Sequence, residues 1–232
     1  MNASRDRILS RIGQSLENRR DPNGVDETVK ARIEERAPQT IPDRAVKLGS
    51  DRPALVDLFI SEAERVDATT DRLSSLLDVP KAISEYLGRH NLPSRLRIAP
   101  HPDLQGIPWS DQPLLEASEG IARDQDSVGV SVAYAGVAET GTLLLRSGPD
   151  SPTTLNFLPD THIVVLKTSV LTTTYEAAWD ALRKDFGPGG LPRTVNWTSG
   201  PSRSADIEQT LMLGAHGPRQ LHILIVDDKK ER

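Results

Sequence analysis

The chain has 232 residues, a formal net charge of −5 and 26% charged residues: enough length for one sizeable core, and no field that favours nucleic acid. It contains no cysteine, which excludes disulfides, thiolate-held iron–sulfur clusters and cysteine-type zinc sites on this chain. Aromatics at 4% are too few for a stacking platform on single-stranded nucleic acid, and no apolar run approaches the ~18 residues of a membrane span. Residues 1–11 mix Arg5, Asp6 and Arg7 and lack the apolar centre of a secretory signal, so a cytoplasmic protein is expected.

Residues 3–19 place Ile8, Leu9, Ile12 and Leu16 in a narrow stripe at helical spacing, stopped by Asp21-Pro-Asn-Gly24. A second helix is expected over residues 26–36, before a linker with Pro38 and Pro42. This opening section is too small and polar for a core of its own, and is expected to pack locally or reach a partner. A helical extension over residues 1–48 and an α/β domain over 49–228 follow. Within the domain, Leu55, Leu58, Phe59 and Ala63 share a helical face, as do Ile83, Tyr86 and Leu87 in residues 79–90. Residues 66–70 and 96–99 read as short strands, and residues 101–115 as a proline-rich surface loop containing Trp109.

The β signal then strengthens. Residues 128–134, 142–145 and 162–167 are apolar runs of strand length, and residues 135–141 read as the turn between the first two. Residues 172–186 are the clearest helix, with Tyr175, Ala178, Trp179 and Leu182 on one face and Gly187-Pro-Gly-Gly190 beyond its end. Strands are expected at 195–197 and 221–226, joined by a glycine- and serine-rich loop and a helix carrying Ile207, Leu211 and Gly214. Strands alternating with helices imply an α/β layer architecture with a partly parallel sheet.

Two stretches carry residue types suited to chemistry. In residues 198–218, Ser199, Gly200, Ser202 and Arg203 precede a helix that Ser204 is placed to cap, with Asp206 and Glu208 in its first turn. Such a loop can cradle an anion on unpaired amides, with Arg203 adding a planar fork; a well-capped connection is the plain alternative. Glu139, in the turn Ala138-Glu-Thr-Gly-Thr142, stands between small residues where a carboxylate has no packing reason to be. There it suits a nucleophile, general base or ligand-orienting acceptor, or else an exposed hairpin acid.

Among five histidines, His162 and His222 lie in strands and read as core, while His90 ends a helix and His101 sits in the proline-rich loop. His216, flanked by glycines, is the one freest to point into a cleft. No histidine pair has metal-ligand spacing, so no metal is expected. Dinucleotide, P-loop and G-x-S-x-G signatures are missing, which disfavours nicotinamide enzymes, ATPases and serine hydrolases.

Three blocks in order, Gly136-Val-Ala-Glu-Thr-Gly-Thr142, Pro159-Asp-Thr-His-Ile-Val-Val165 and Ser199-Gly-Pro-Ser-Arg-Ser-Ala-Asp-Ile-Glu208 with Leu213-Gly-Ala-His-Gly-Pro218, resemble the lactate-utilisation protein C family, the single-domain LUD proteins. The resemblance implies a mostly parallel sheet flanked by helices, similar to the sugar-phosphate isomerase and CoA-transferase fold. It also implies a role in bacterial oxidation of L-lactate to pyruvate beside cysteine-rich partners that hold iron–sulfur clusters, this chain holding none and its own cofactor unspecified. Catalytic roles would fall to Glu139 and His216, and anion binding to Thr140, Gly141, Ser199, Gly200, Ser202, Arg203 and Ser204. Two alternatives stand beside it: an assembly module without chemistry, or a free-standing CoA-ester or sugar-phosphate enzyme using Glu139. Homo-oligomers are compatible with each.

Overall fold

The computed structural model describes residues 3–17, 31, 35, 47–49, 51–187, 190–204, 212–214 and 216–228. The chain divides into two compact units, Met1–Thr40 and Ile41–Arg232. In the first, helix α1 (Ala3–Glu17) follows the expected stripe, and Ile8, Leu9 and Ile12 remain 58%, 52% and 51% exposed. The second expected helix falls outside the described residues except at Ala31 and Glu35, both helical.

The second unit opens with helix α2 (Arg52–Arg65). Asp51 caps it by accepting from the Ala54 amide at 3.2 Å, and a proline lies in the first turn, where the missing amide costs nothing. Strand β1 (Thr69–Leu73) follows, three residues later than the apolar pattern placed it. Helix α3 (Val79–His90) ends on Asn91 in the left-handed region. After β2 (Arg95–Ile98) the proline-rich stretch holds a one-turn helix, Pro102–Gln105, and leads into β3 (Glu116–Glu119). No element was expected at residues 116–119, because an edge strand with three exposed polar residues shows no apolar alternation. Then come β4 (Val128–Val132), the hairpin β5 (Ala135–Val137) and β6 (Thr142–Arg146), and β7 (Thr161–Lys167). Residues 135–137, expected as turn, are therefore strand; Gly136 is small because an added Cβ would lie 2.8 Å from Leu171 and 3.2 Å from Phe59. The two-residue strand β8 (Leu171–Thr172), helix α4 (Tyr175–Phe186), β9 (Val195–Thr198) and β12 (Gln220–Val226) complete the layers.

The described ends of the last connection form a strand pair that was not expected. Arg203–Ser204 (β10) pairs antiparallel with Met212–Leu213 (β11). Backbone demand accounts for the pairing: Gly200 and Gly214 take φ of +73° and +80°, and the Gly214 amide donates to Ser202 O at 3.0 Å beside it. Ile207 and Leu211, the helical pair of the sequence reading, lie outside the described residues.

A six-stranded sheet, ordered β1-β12-β7-β4-β2-β3, has every neighbouring pair parallel, and a four-stranded sheet runs β8-β5-β6-β9. The mostly parallel α/β architecture is thus as expected. Alternation along β7 divides the core: Ile163 and Val165 face α3, whereas Val164 and Leu166 face α2 and Leu143 and Leu145 of β6. On the far side of β6, Leu144 packs with Ala178 and Leu182 of α4. The order of layers is α3, parallel sheet, α2 with the smaller sheet, then α4. The functional blocks end up where the two sheets meet.

Candidate functional site

Thr142 opens β6 and Ser199 directly follows β9, and the pairing of Leu143 with Thr198 sets the two side by side. Thr142 Oγ1 lies 2.6 Å from Ser199 Oγ, 2.8 Å from Thr140 Oγ1 and 2.9 Å from Tyr175 Oη. Four hydroxyls from three sequence blocks thus form one knot, and Thr142 at its centre is fully buried. The Glu139 turn and the residue 199–200 loop are neighbours.

Both turns also press on the end of α2. Gly141, at φ +61°, has no room for a Cβ, which would stand 2.1 Å from the Ala63 amide nitrogen; one at Gly200 would stand 2.1 Å from Val66 O. Beside them Glu62, 4% exposed, is held by Arg65 at 2.6 Å. Glu139 is half-buried, one carboxylate oxygen fully shielded, and its amide donates to Thr173 O at 3.3 Å. Arg203 already has partners: it pairs with Asp67 and donates to Val66 O at 3.2 Å, fastening the loop to the end of α2.

Residues 199–203 roof a cavity of about 260 Å³ at the amino-terminal edge of the parallel sheet. His216 and Gly217 stand on one side, exposed and half-buried, and Leu221 and His162 form the floor from β12 and β7. Phe157 and Trp197 supply apolar wall, and Asn156 completes the polar lining. The expected residues Ser199, Gly200, Ser202, Arg203 and His216 therefore meet at one cavity. Glu139, Thr140 and Gly141 do not line it; they reach it through the Thr142–Ser199 contact. Sequence reasoning missed Asn156, and treated His162 as ordinary core. The signal was there for His162, a polar ring in a strand that is otherwise valine, isoleucine and leucine, but its neighbours across the sheet were unknown.

Open α/β sheets usually bind ligands at the carboxyl edge, where strand order reverses. Here that edge, beyond β2 and β4, has a cleft of about 350 Å³ lined by His101, Asp103, Tyr134, Lys167 and Asp185. Its polar groups are engaged with one another: Lys167 meets Asp103 at 2.8 Å, and Tyr134 Oη donates to Asp185 at 2.6 Å. Burial lowers the pKa of His101, and burial with the adjoining Asp185 carboxylate raises that of Tyr134. Among the described residues no cluster has the make-up of a metal site.

Residues 56–226 match the LUD domain, a span that holds every block of the site. The chain belongs to the LUD domain family. Relatives of this LUD domain include a protein of Neisseria meningitidis, 42% identical over 98 residues, covering 42% of this chain and 41% of that protein. Two others are called Lactate utilization protein C. That of Shouchella clausii is 37% identical over 102 residues, 44% of each chain, and that of Bacillus subtilis 32% identical over 127 residues, 54% of this chain and 53% of the other. The chain spans about half the length of the curated relatives it matches. A crystal structure of a DUF162 family protein from Deinococcus radiodurans has the same fold, with a TM-score of 0.57 at 24% identity over 75% of this chain and 98% of the other.

Proposed function

We propose that this LUD domain is a cytoplasmic component of a bacterial system that oxidises L-lactate to pyruvate, acting beside cysteine-rich iron–sulfur proteins and holding no cluster itself. The sequence match to proteins called Lactate utilization protein C carries the reading. The lack of any cysteine agrees with it, since a thiolate-held cluster needs ligands this chain does not have. In this role Glu139 and His216 move protons. Thr140, Gly141, Ser199, Gly200, Ser202, Arg203 and Ser204 shape the anion-binding side, with Arg203 acting while tied to Asp67. Deleting the gene and growing the strain on L-lactate as sole carbon source is the test. Loss of growth, restored by the gene in trans, is expected; normal growth without a paralogue overturns the reading.

The exposed apolar stripe of α1 favours a second role for residues 1–48, as the extension through which the domain at 49–228 meets its partners. Removal of residues 1–45 is then expected to abolish co-purification with the cluster-bearing proteins, and an unchanged complex excludes that role.

A further inference from the structure

Two buried side chains at the amino edge of the parallel sheet have hydrogen-bonding groups left over. His162 is fully buried, and its Nε2 meets Ser131 Oγ at 2.8 Å, yet its Nδ1 has no hydrogen-bond partner among the described residues. Asn156, 5% exposed, leaves Nδ2 in the same condition. Both line the cavity under residues 199–203. An unmet buried donor or acceptor costs ~1–3 kcal/mol, and native interiors carry few of them. Two on the wall of one cavity mark the place of a polar occupant.

The lining defines the chemistry of that occupant. Asn156 Nδ2 can only donate, so it calls for an acceptor. Burial lowers the His162 pKa to about 3, so its ring is neutral in use, and it presents an N–H at Nδ1 whenever Ser131 donates to Nε2. The described lining contains no carboxylate, and its charged side chain is Arg203, which Asp67 already engages from outside the lining. The ligand therefore presents acceptor oxygens and no more than one negative charge. A dianion such as phosphate would need more cation than an Arg203 already engaged by Asp67. Phe157, Trp197 and Leu221 offer apolar wall for a short hydrocarbon portion. At about 260 Å³ the space lies below the roughly 300–1,000 Å³ of drug-sized sites, so the occupant is compact.

We propose that this cavity recognises a short-chain hydroxy- or keto-carboxylate, with Asn156 Nδ2 and His162 Nδ1 holding its oxygens. These two side chains, and not the Arg203 guanidinium, are the residues that read the ligand. The inference rests on the proposed function only in the choice of acids to try.

The test uses the full chain labelled with ¹⁵N-histidine, titrated separately with L-lactate, pyruvate, propionate and inorganic phosphate while the ring signals are followed by NMR. Saturable movement of the His162 resonances by L-lactate or pyruvate is expected, with propionate and phosphate weaker. Asn156→Leu should weaken that binding at least tenfold, while Asp185→Asn in the carboxyl-edge cleft leaves it unchanged. No saturable shift with either acid overturns the proposal, as does phosphate or propionate binding equally well. Should Asn156→Leu fail to fold, the titration of the unaltered protein still decides. Acid binding in a chain whose deletion leaves growth on L-lactate intact removes the proposed function alone; a growth defect without acid binding removes this inference alone.

Discussion

Thr142 Oγ1 stands 2.6 Å from Ser199 Oγ, and this contact ties a turn near the middle of the chain to a loop more than fifty residues on. Thr142 is fully buried against three hydroxyl partners, of which Thr140 and Tyr175 are half-buried and Ser199 is exposed. Replacing it by valine keeps the shape and removes all three contacts at once. Thr142→Val is expected to lower stability by about 1–3 kcal/mol in urea titrations. A double-mutant cycle with Ser199→Ala should show coupling on the order of 0.5–3 kcal/mol. Strict additivity would mean that the knot is not a unit.

Gly141 is required twice, by its φ of +61° and by the approach of Ala63. Gly141→Ala forces either the turn or α2 to move. Overpacking of that kind costs roughly 1–3 kcal/mol, to which the left-handed backbone adds ~1–2. A fall in the denaturation midpoint with unchanged slope checks it. Gly187, also at positive φ but with open space about it, should cost only the backbone part when changed to alanine.

Two histidines make the fold acid-sensitive in a definite window. Burial lowers the pKa of His162 to about 3 and that of His222 to about 4, from 6.5. Below pH 6.5 the unfolded chain takes up protons that the folded chain refuses, so stability falls as pH falls, at ~1.4 kcal/mol per pH unit for each histidine fully in the window. Above pH 6.5 neither contributes a slope. Asp126, Asp150 and Asp228, whose pKa values lie below 3.8, add their loss only at lower pH. Urea midpoints should therefore drop between pH 6.5 and 5, above the range in which Asp126, Asp150 and Asp228 contribute; a flat profile there contradicts the burial of both rings.

Arg203 is paired with Asp67 at the surface, where the Asp67 side chain is 68% exposed. Exposed pairs contribute ~0–1 kcal/mol. Arg203→Ala is expected to change thermal stability by less than ~1 kcal/mol, yet to loosen the loop, seen as faster amide exchange at Ser202 and Gly214. Protection unchanged at both positions would show that the pair does not anchor the loop.

Much of this architecture was legible in the residues. The apolar faces of α2, α3 and α4 and the core strands β4, β6, β7 and β12 are long or strongly apolar, and burial on one or both faces leaves few alternatives. β3 was hidden because exposed edge residues need no pattern, and β5 because a strand of alanine, glycine and valine resembles a turn. The strand pair of Arg203–Ser204 with Met212–Leu213 was hidden for another reason: backbone bonds between the two ends of the loop, which only the folded chain provides, draw them together.

By itself the sequence determined the α/β class, the absence of thiol chemistry and the two stretches of small and hydroxyl residues, because these depend on composition and local period. Tertiary structure decided which of those residues share a site. The pairing of β6 with β9 brings Thr142 to Ser199, α2 claims Arg203 through Asp67 and Val66, and the first turns of β7 and β12 place His162 beneath the loop. The physical reason is that hydrogen-bond satisfaction is settled between segments far apart in the chain: only the closed layers show that Thr142 has three partners while His162 and Asn156 each keep a buried nitrogen unmatched.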